Sequence, residues 1–62
     1  MEKDKQKYLE ALRQNEGKED EIDVGKSLGF TKEYTDKLIE ALMAEEKITY
    51  YAGNTCNYKV VE

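Results

Sequence analysis

The chain has 62 residues with a net charge of −4, 39% charged side chains, one cysteine and no histidine. A chain this short buries only about 60% of the surface its unfolded form exposes, so one domain over residues 1–62 with a thin core is expected. A lone cysteine without histidine excludes an internal disulfide and a Cys–His catalytic pair and argues against a structural metal, and the acidic balance runs against the positive field that phosphate neutralisation favours.

Residues 2–15 read as helix one. Tyr8, Leu9 and Leu12 fall on one face with Ala11 beside them, and good helix formers fill the rest. Asn15-Glu16-Gly17 is a stop signal in which Gly17 supplies a left-handed cap. Lys18-Glu19-Asp20-Glu21 then reads as a polar connection. The acids Glu19, Asp20, Glu21 and Asp23 lack the oxygen spacing of a calcium loop, so they read as solvated, with Asp23 as a helix N-cap.

Asp23 to Gly29 makes a helix of about two turns, with Val24 and Leu28 on one face. Gly25 weakens it by up to ~1 kcal/mol relative to alanine. Ile22, isolated between acids, reads as a single bridging strand residue. Phe30 follows the Gly29 break as a core plug.

Thr31 then caps helix three, residues 31–46, the strongest helical pattern in the chain. Tyr34, Thr35, Leu38, Ile39, Leu42 and Met43 form its apolar stripe. Lys32, Glu33, Asp36, Lys37, Glu40 and Ala44 lie opposite, with Glu33–Lys37 and Lys32–Asp36 at pairing distance. The acids near its C-terminal end oppose the helix dipole, which predicts fraying there.

Residues 48–52 and 56–61 are β-rich, and Gly53-Asn54-Thr55 has turn composition, so a hairpin is expected. Pairing Ile48 with Val60, Tyr50 with Tyr58 and Ala52 with Cys56 gives one face of apolar or amphipathic residues. The other face then carries Thr49, Tyr51, Asn57, Lys59 and Val61. Cys56 points inward as a small apolar residue.

The order is helix, short helix, glycine turn, long helix, hairpin. With Ile22-Asp23-Val24, Leu28-Gly29-Phe30-Thr31, Leu38-Ile39, Leu42 and Lys47-Ile48, it resembles the winged helix-turn-helix superfamily over nearly the whole chain. The resemblance implies an α+β fold of three helices followed by a C-terminal β-hairpin wing. It also implies a DNA-binding module of a small transcriptional regulator. Helix 31–46 would enter the major groove and hairpin 48–61 would touch the backbone. Double-stranded DNA, bound by a homodimer, is the partner this reading expects. Lys32, Tyr34 and Lys37 on the helix, with Tyr51, Asn54, Asn57 and Lys59 on the wing, are its nucleic-acid-binding candidates.

Charge departs from that pattern. Residues 31–46 hold two lysines against five acids. The alternative is therefore an acidic winged-helix module that binds a basic protein partner and no nucleic acid. A third reading is self-association through the unprotected hairpin edge.

A chain this thin makes hardly any cleft for acid–base chemistry, so no enzyme is expected, and no metal or cofactor. No apolar run approaches the roughly 18 residues of a membrane span, and the N-terminus leads into no apolar signal segment. A cytoplasmic protein without a membrane partner is the expectation.

Overall fold

A computed structural model describes residues 1–52 and 55–61 of the chain. It contains α1 (Glu2–Asn15), α2 (Glu21–Ser27), α3 (Lys32–Ala44), β1 (Ile48–Tyr50) and β2 (Tyr58–Val60). Three helices followed by an antiparallel two-stranded hairpin make the α+β layout of a small winged helix.

Helix α1 ends where Glu16 and Gly17 both take positive φ, 52° and 77°. The Asn15 side chain then brackets the backbone of Glu19, donating to its carbonyl at 2.8 Å and accepting from its amide at 3.0 Å. This clasp closes the connection into a tight turn.

Helix α2 starts earlier than the sequence suggests. Asp20 is the N-cap, its carboxylate accepting from the Asp23 amide at 2.8 Å. Ile22, expected as an isolated strand residue, lies inside α2. The acid run hid the boundary: Asp20 followed by an acid three residues on is a helix-start pattern, but Gly17 and the charges made it look like loop. At the other end the Phe30 amide donates to Gly25 O and the Gly29 amide to Lys26 O. With Gly29 at φ 87° this is a Schellman closure.

Thr31 caps α3 as expected, accepting from the Tyr34 amide at 3.1 Å. The C-terminal end of α3 is closed instead of frayed. Lys47 N–H donates to Leu42 O and Glu46 N–H to Met43 O, with Glu46 at φ 60°. A Schellman closure thus forms without glycine, satisfying carbonyls that would otherwise stand open.

Hairpin register matches the sequence pattern: Ile48 faces Val60, Thr49 faces Lys59 and Tyr50 faces Tyr58. Hydrogen bonds from Val61 N–H to Lys47 O and from Tyr51 N–H to Asn57 O carry the same register one residue beyond each end. Ala52 and Cys56, expected as a pair, lie outside the ladder.

The core is Tyr8, Leu12, Val24, Leu38, Ile39, Leu42, Ile48 and Cys56, with Phe30, Tyr34, Tyr58 and Val60 packed at its margin. Each element contributes at least one side chain, which is why so small a chain closes. Met43, expected in the buried stripe, is 39% exposed. It sits one helical step beyond Ile39 and Leu42, past the edge of the hairpin's cover.

At Gly25 helix α2 lies close against Thr35 of α3. A β-carbon there would lie 2.0 Å from Thr35 Oγ1 and 2.9 Å from Thr35 Cβ. The glycine that reads as a helix defect is what lets α2 lie against α3. Thr35 is fully buried, and its hydroxyl finds no hydrogen-bond partner among the described residues. A buried hydroxyl without a partner costs about 1–3 kcal/mol. Thr35→Val should therefore raise stability by about 1 kcal/mol, seen as a rise of about 4–8 °C in Tm by circular dichroism for a domain of this size.

Candidate interaction surface

The residues expected to touch DNA are differently committed. Lys32 Nζ lies 3.0 Å from Asp36 Oδ2. That hydrogen bond, then the Asp36 charge, raises the Lys32 pKa. Both groups are exposed, so the pair adds little stability, but it cancels the positive charge nearest the N-terminus of α3. Lys37, expected to pair with Glu33, forms no ion pair among the described residues and remains an exposed cation.

Tyr34 turns toward α1. Its hydroxyl donates to the Asp4 carboxylate. Its ring meets Phe30 edge-on, with centroids 5.2 Å apart. The Asp4 hydrogen bond, followed by burial, raises the Tyr34 pKa. The side chain ties α3 to α1 across 30 residues of sequence and does not stand on the outward face.

On the hairpin, Lys59 Nζ sits 4.6 Å above the centroid of the exposed Tyr51 ring. Such a cation–π contact contributes about 0.5–1 kcal/mol at an exposed site, and it arises because the two residues share the outer face of the ladder. Asn57 is held by its backbone: its amide donates to Glu21 Oε1 at 3.1 Å and its carbonyl accepts from Tyr51. Asn54 lies outside the described residues.

Glu21 is the joint that sequence reading missed. Its carbonyl accepts from the Tyr8 hydroxyl at 2.8 Å, and its carboxylate accepts from Asn57. One residue at the start of α2 thus binds both α1 and the hairpin. Nothing local marks it, because both partners are distant in sequence.

Between α3 and the hairpin runs a shallow groove lined by Glu21, Asp36, Ile39, Glu40, Met43 and Tyr58. Ile39, Met43 and Tyr58 give it an apolar floor, and the three acids form its rim. Met43 also borders an adjoining hollow with Glu46, Ile48, Thr49 and Val61. Tyr50, 58% exposed, stands edge-on to Tyr58 with ring centroids 5.9 Å apart. The apolar surface therefore continues from α3 onto the hairpin.

Cys56 is buried and its thiol donates to Tyr58 O at 3.2 Å. Burial pushes its pKa up, which suppresses the reactive thiolate. Among the described residues no group of His, Cys, Asp or Glu side chains is placed to hold a metal ion. Among them, too, no helix is long and apolar enough to cross a membrane.

Compared with protein-family models, with curated proteins and with solved structures, the chain finds no match.

Proposed function

We propose that this chain is a winged-helix interaction module whose α3 face binds a basic region of a partner protein. One observation carries the reading. At the position of a recognition helix, α3 presents Glu33, Asp36 and Glu40 to solvent while Asp36 neutralises Lys32. Phosphate contacts supply most of the affinity of a DNA-binding domain, and this face repels phosphate. Opposite charge on a partner would be attracted to it and steered onto it.

DNA binding is the second reading. It is favoured by the placement of α3 ahead of a hairpin, by the exposed Lys37, and by Lys59, Tyr51 and Asn57 on the wing. Membership of the winged helix-turn-helix superfamily and a role in transcription regulation belong to that reading.

An NMR titration of the isotope-labelled protein separates the two. At low salt, mixed-sequence duplex DNA should leave the amide spectrum unchanged, whereas a lysine-rich peptide should shift residues 33–40. Shifts with duplex DNA clustered on Lys32, Lys37, Tyr51 and Lys59, reversed by salt and weakened by Lys37→Ala, would replace the first reading with the second.

A further inference from the structure

The groove between α3 and the hairpin combines two features that rarely coincide on a surface with no partner. Its floor is apolar: Met43 is 39% accessible, Tyr58 is half-buried and Ile39 lies beneath them in the core, with the exposed Tyr50 beside it. Its rim carries three acids: Glu40, Asp36, which is paired with Lys32, and Glu21, which accepts from the Asn57 amide. Asp36, Ile39, Glu40 and Met43 follow one another at helical spacing along one side of α3. They cover about 10 Å of helix axis, the length of two turns. Beyond Met43 the hollow toward Val61 extends the apolar track, and Glu46 continues the acidic edge.

We propose that this groove is the docking site for a short basic amphipathic segment of another protein. Its apolar side chains lie on Ile39, Met43 and Tyr58, and its Lys or Arg side chains meet Glu40 and Glu46. The inference rests on the basic-partner reading and narrows it to one side of α3.

Charge complementarity selects this occupant. Two copies of the chain joined here about a two-fold axis would bring the same acids face to face, because such an interface is self-complementary in position. Each copy also carries a net charge of −4. DNA and anionic membranes meet the same repulsion. A cationic amphipathic segment gains twice: its apolar side chains cover Met43 and Ile39, and its charges face carboxylates of opposite sign. Glu40 forms no ion pair or hydrogen bond among the described residues, so its carboxylate is open to an incoming cation. The exposed faces of Tyr50 and Tyr58 offer arginine a further cation–π contact. The apolar pair Ile39 and Met43, one turn apart and continued by the hollow toward Val61, suits the spaced apolar anchors of a helix lying in a groove.

The test uses the full chain and a synthetic peptide of leucine and lysine with leucines at helical i, i+3, i+4 and i+7 positions. Amide and methionine-methyl shifts should cluster on Asp36, Ile39, Glu40, Met43 and Tyr58. By calorimetry, Glu40→Lys and Met43→Ser should each weaken binding by about tenfold. Glu19→Lys makes the same charge change away from the groove and should alter affinity by less than about twofold. Met43 and Glu40 are exposed, so circular dichroism should show both variants folded.

Equal losses from Glu19→Lys and Glu40→Lys, or full binding by Met43→Ser, would overturn the groove while leaving a basic partner in place. Shifts confined to Glu33 and Lys37 would do the same. No binding of the peptide under any condition would overturn both. Sedimentation that shows a dimer abolished by Met43→Ser would make a second copy the occupant and overturn the proposal.

Discussion

Gly25→Ala should destabilise the domain by about 2–3 kcal/mol, although the same change in an exposed helix is stabilising by roughly 1 kcal/mol. The added methyl would meet Thr35 Oγ1 at 2.0 Å, Cγ2 at 2.8 Å and Cβ at 2.9 Å. Rotating the threonine side chain relieves the first two contacts. It cannot relieve the third, because Cβ moves only with the backbone of α3. The two helices must therefore part, and α2 carries Val24 into the core while Glu21 holds α1 and the hairpin. A domain of this size has roughly 3–9 kcal/mol of stability in all, so the loss is a large share of it. Urea denaturation should show the midpoint fall, and Gly25→Ala with Thr35→Gly, which removes the opposing Cβ, should be less unstable than the two single losses added together. Strict additivity in that double-mutant cycle would show that the contact does not govern the site.

Tyr8→Ala should leave the chain largely unfolded at room temperature. Tyr8 is fully buried, at the centre of the core and in contact with the start of α2. Removing a buried aromatic ring costs about 3–5 kcal/mol, comparable to the whole stability expected of a small domain. Tyr8→Phe keeps the ring and removes only the hydrogen bond to the Glu21 carbonyl, so it should remain folded with a loss of about 1–2 kcal/mol. The pair separates packing from hydrogen bonding at one site.

Alkaline pH adds a further readout of the same residue. Burial raises the Tyr8 pKa well above its ordinary value. The unfolded chain ionises near pH 10 while the folded one resists, so this contribution is complete below about pH 10 and is lost as pH climbs toward the folded value. Lys5, held by the Glu2 and Glu45 carboxylates, and Tyr34, held by Asp4, shift in the same direction. Stability measured by urea should fall steeply above about pH 10, and less steeply in Tyr8→Phe. An equal fall in both proteins would remove Tyr8 from the account.

Elements set by local pattern were legible in the sequence. The Thr31 cap, the α3 stripe apart from Met43, and the register of Ile48 to Tyr50 against Tyr58 to Val60 each follow from residues a few positions apart, and the structure places them as expected. What escaped was everything that joins distant segments. Gly25 reads as a weak helix position by propensity, and only the partner helix reveals why a side chain is excluded there. Asp20 and Asp23 are both cap residues by type, and the structure uses Asp20.

The candidate site shows the same division. Outward placement of Glu33, Asp36 and Glu40 was readable from periodicity. The inward side of Tyr34 was readable from the same stripe, but its partner Asp4 was not. The groove floor depends on how far the hairpin reaches over Ile39 and Met43, which has no local signature.

Lys5 joins the two ends of the helical layer. Its buried ammonium lies 2.8 Å from the Glu2 carboxylate in the first turn of α1 and also binds the Glu45 carboxylate at the end of α3. Helix termini usually open independently and often, because each end has few bonds to break. Lifting the first turn of α1 breaks this link to the end of α3, and the reverse holds as well. Amide exchange at these two ends should therefore be coupled, and the hairpin that follows Glu45 starts from a point tied to α1.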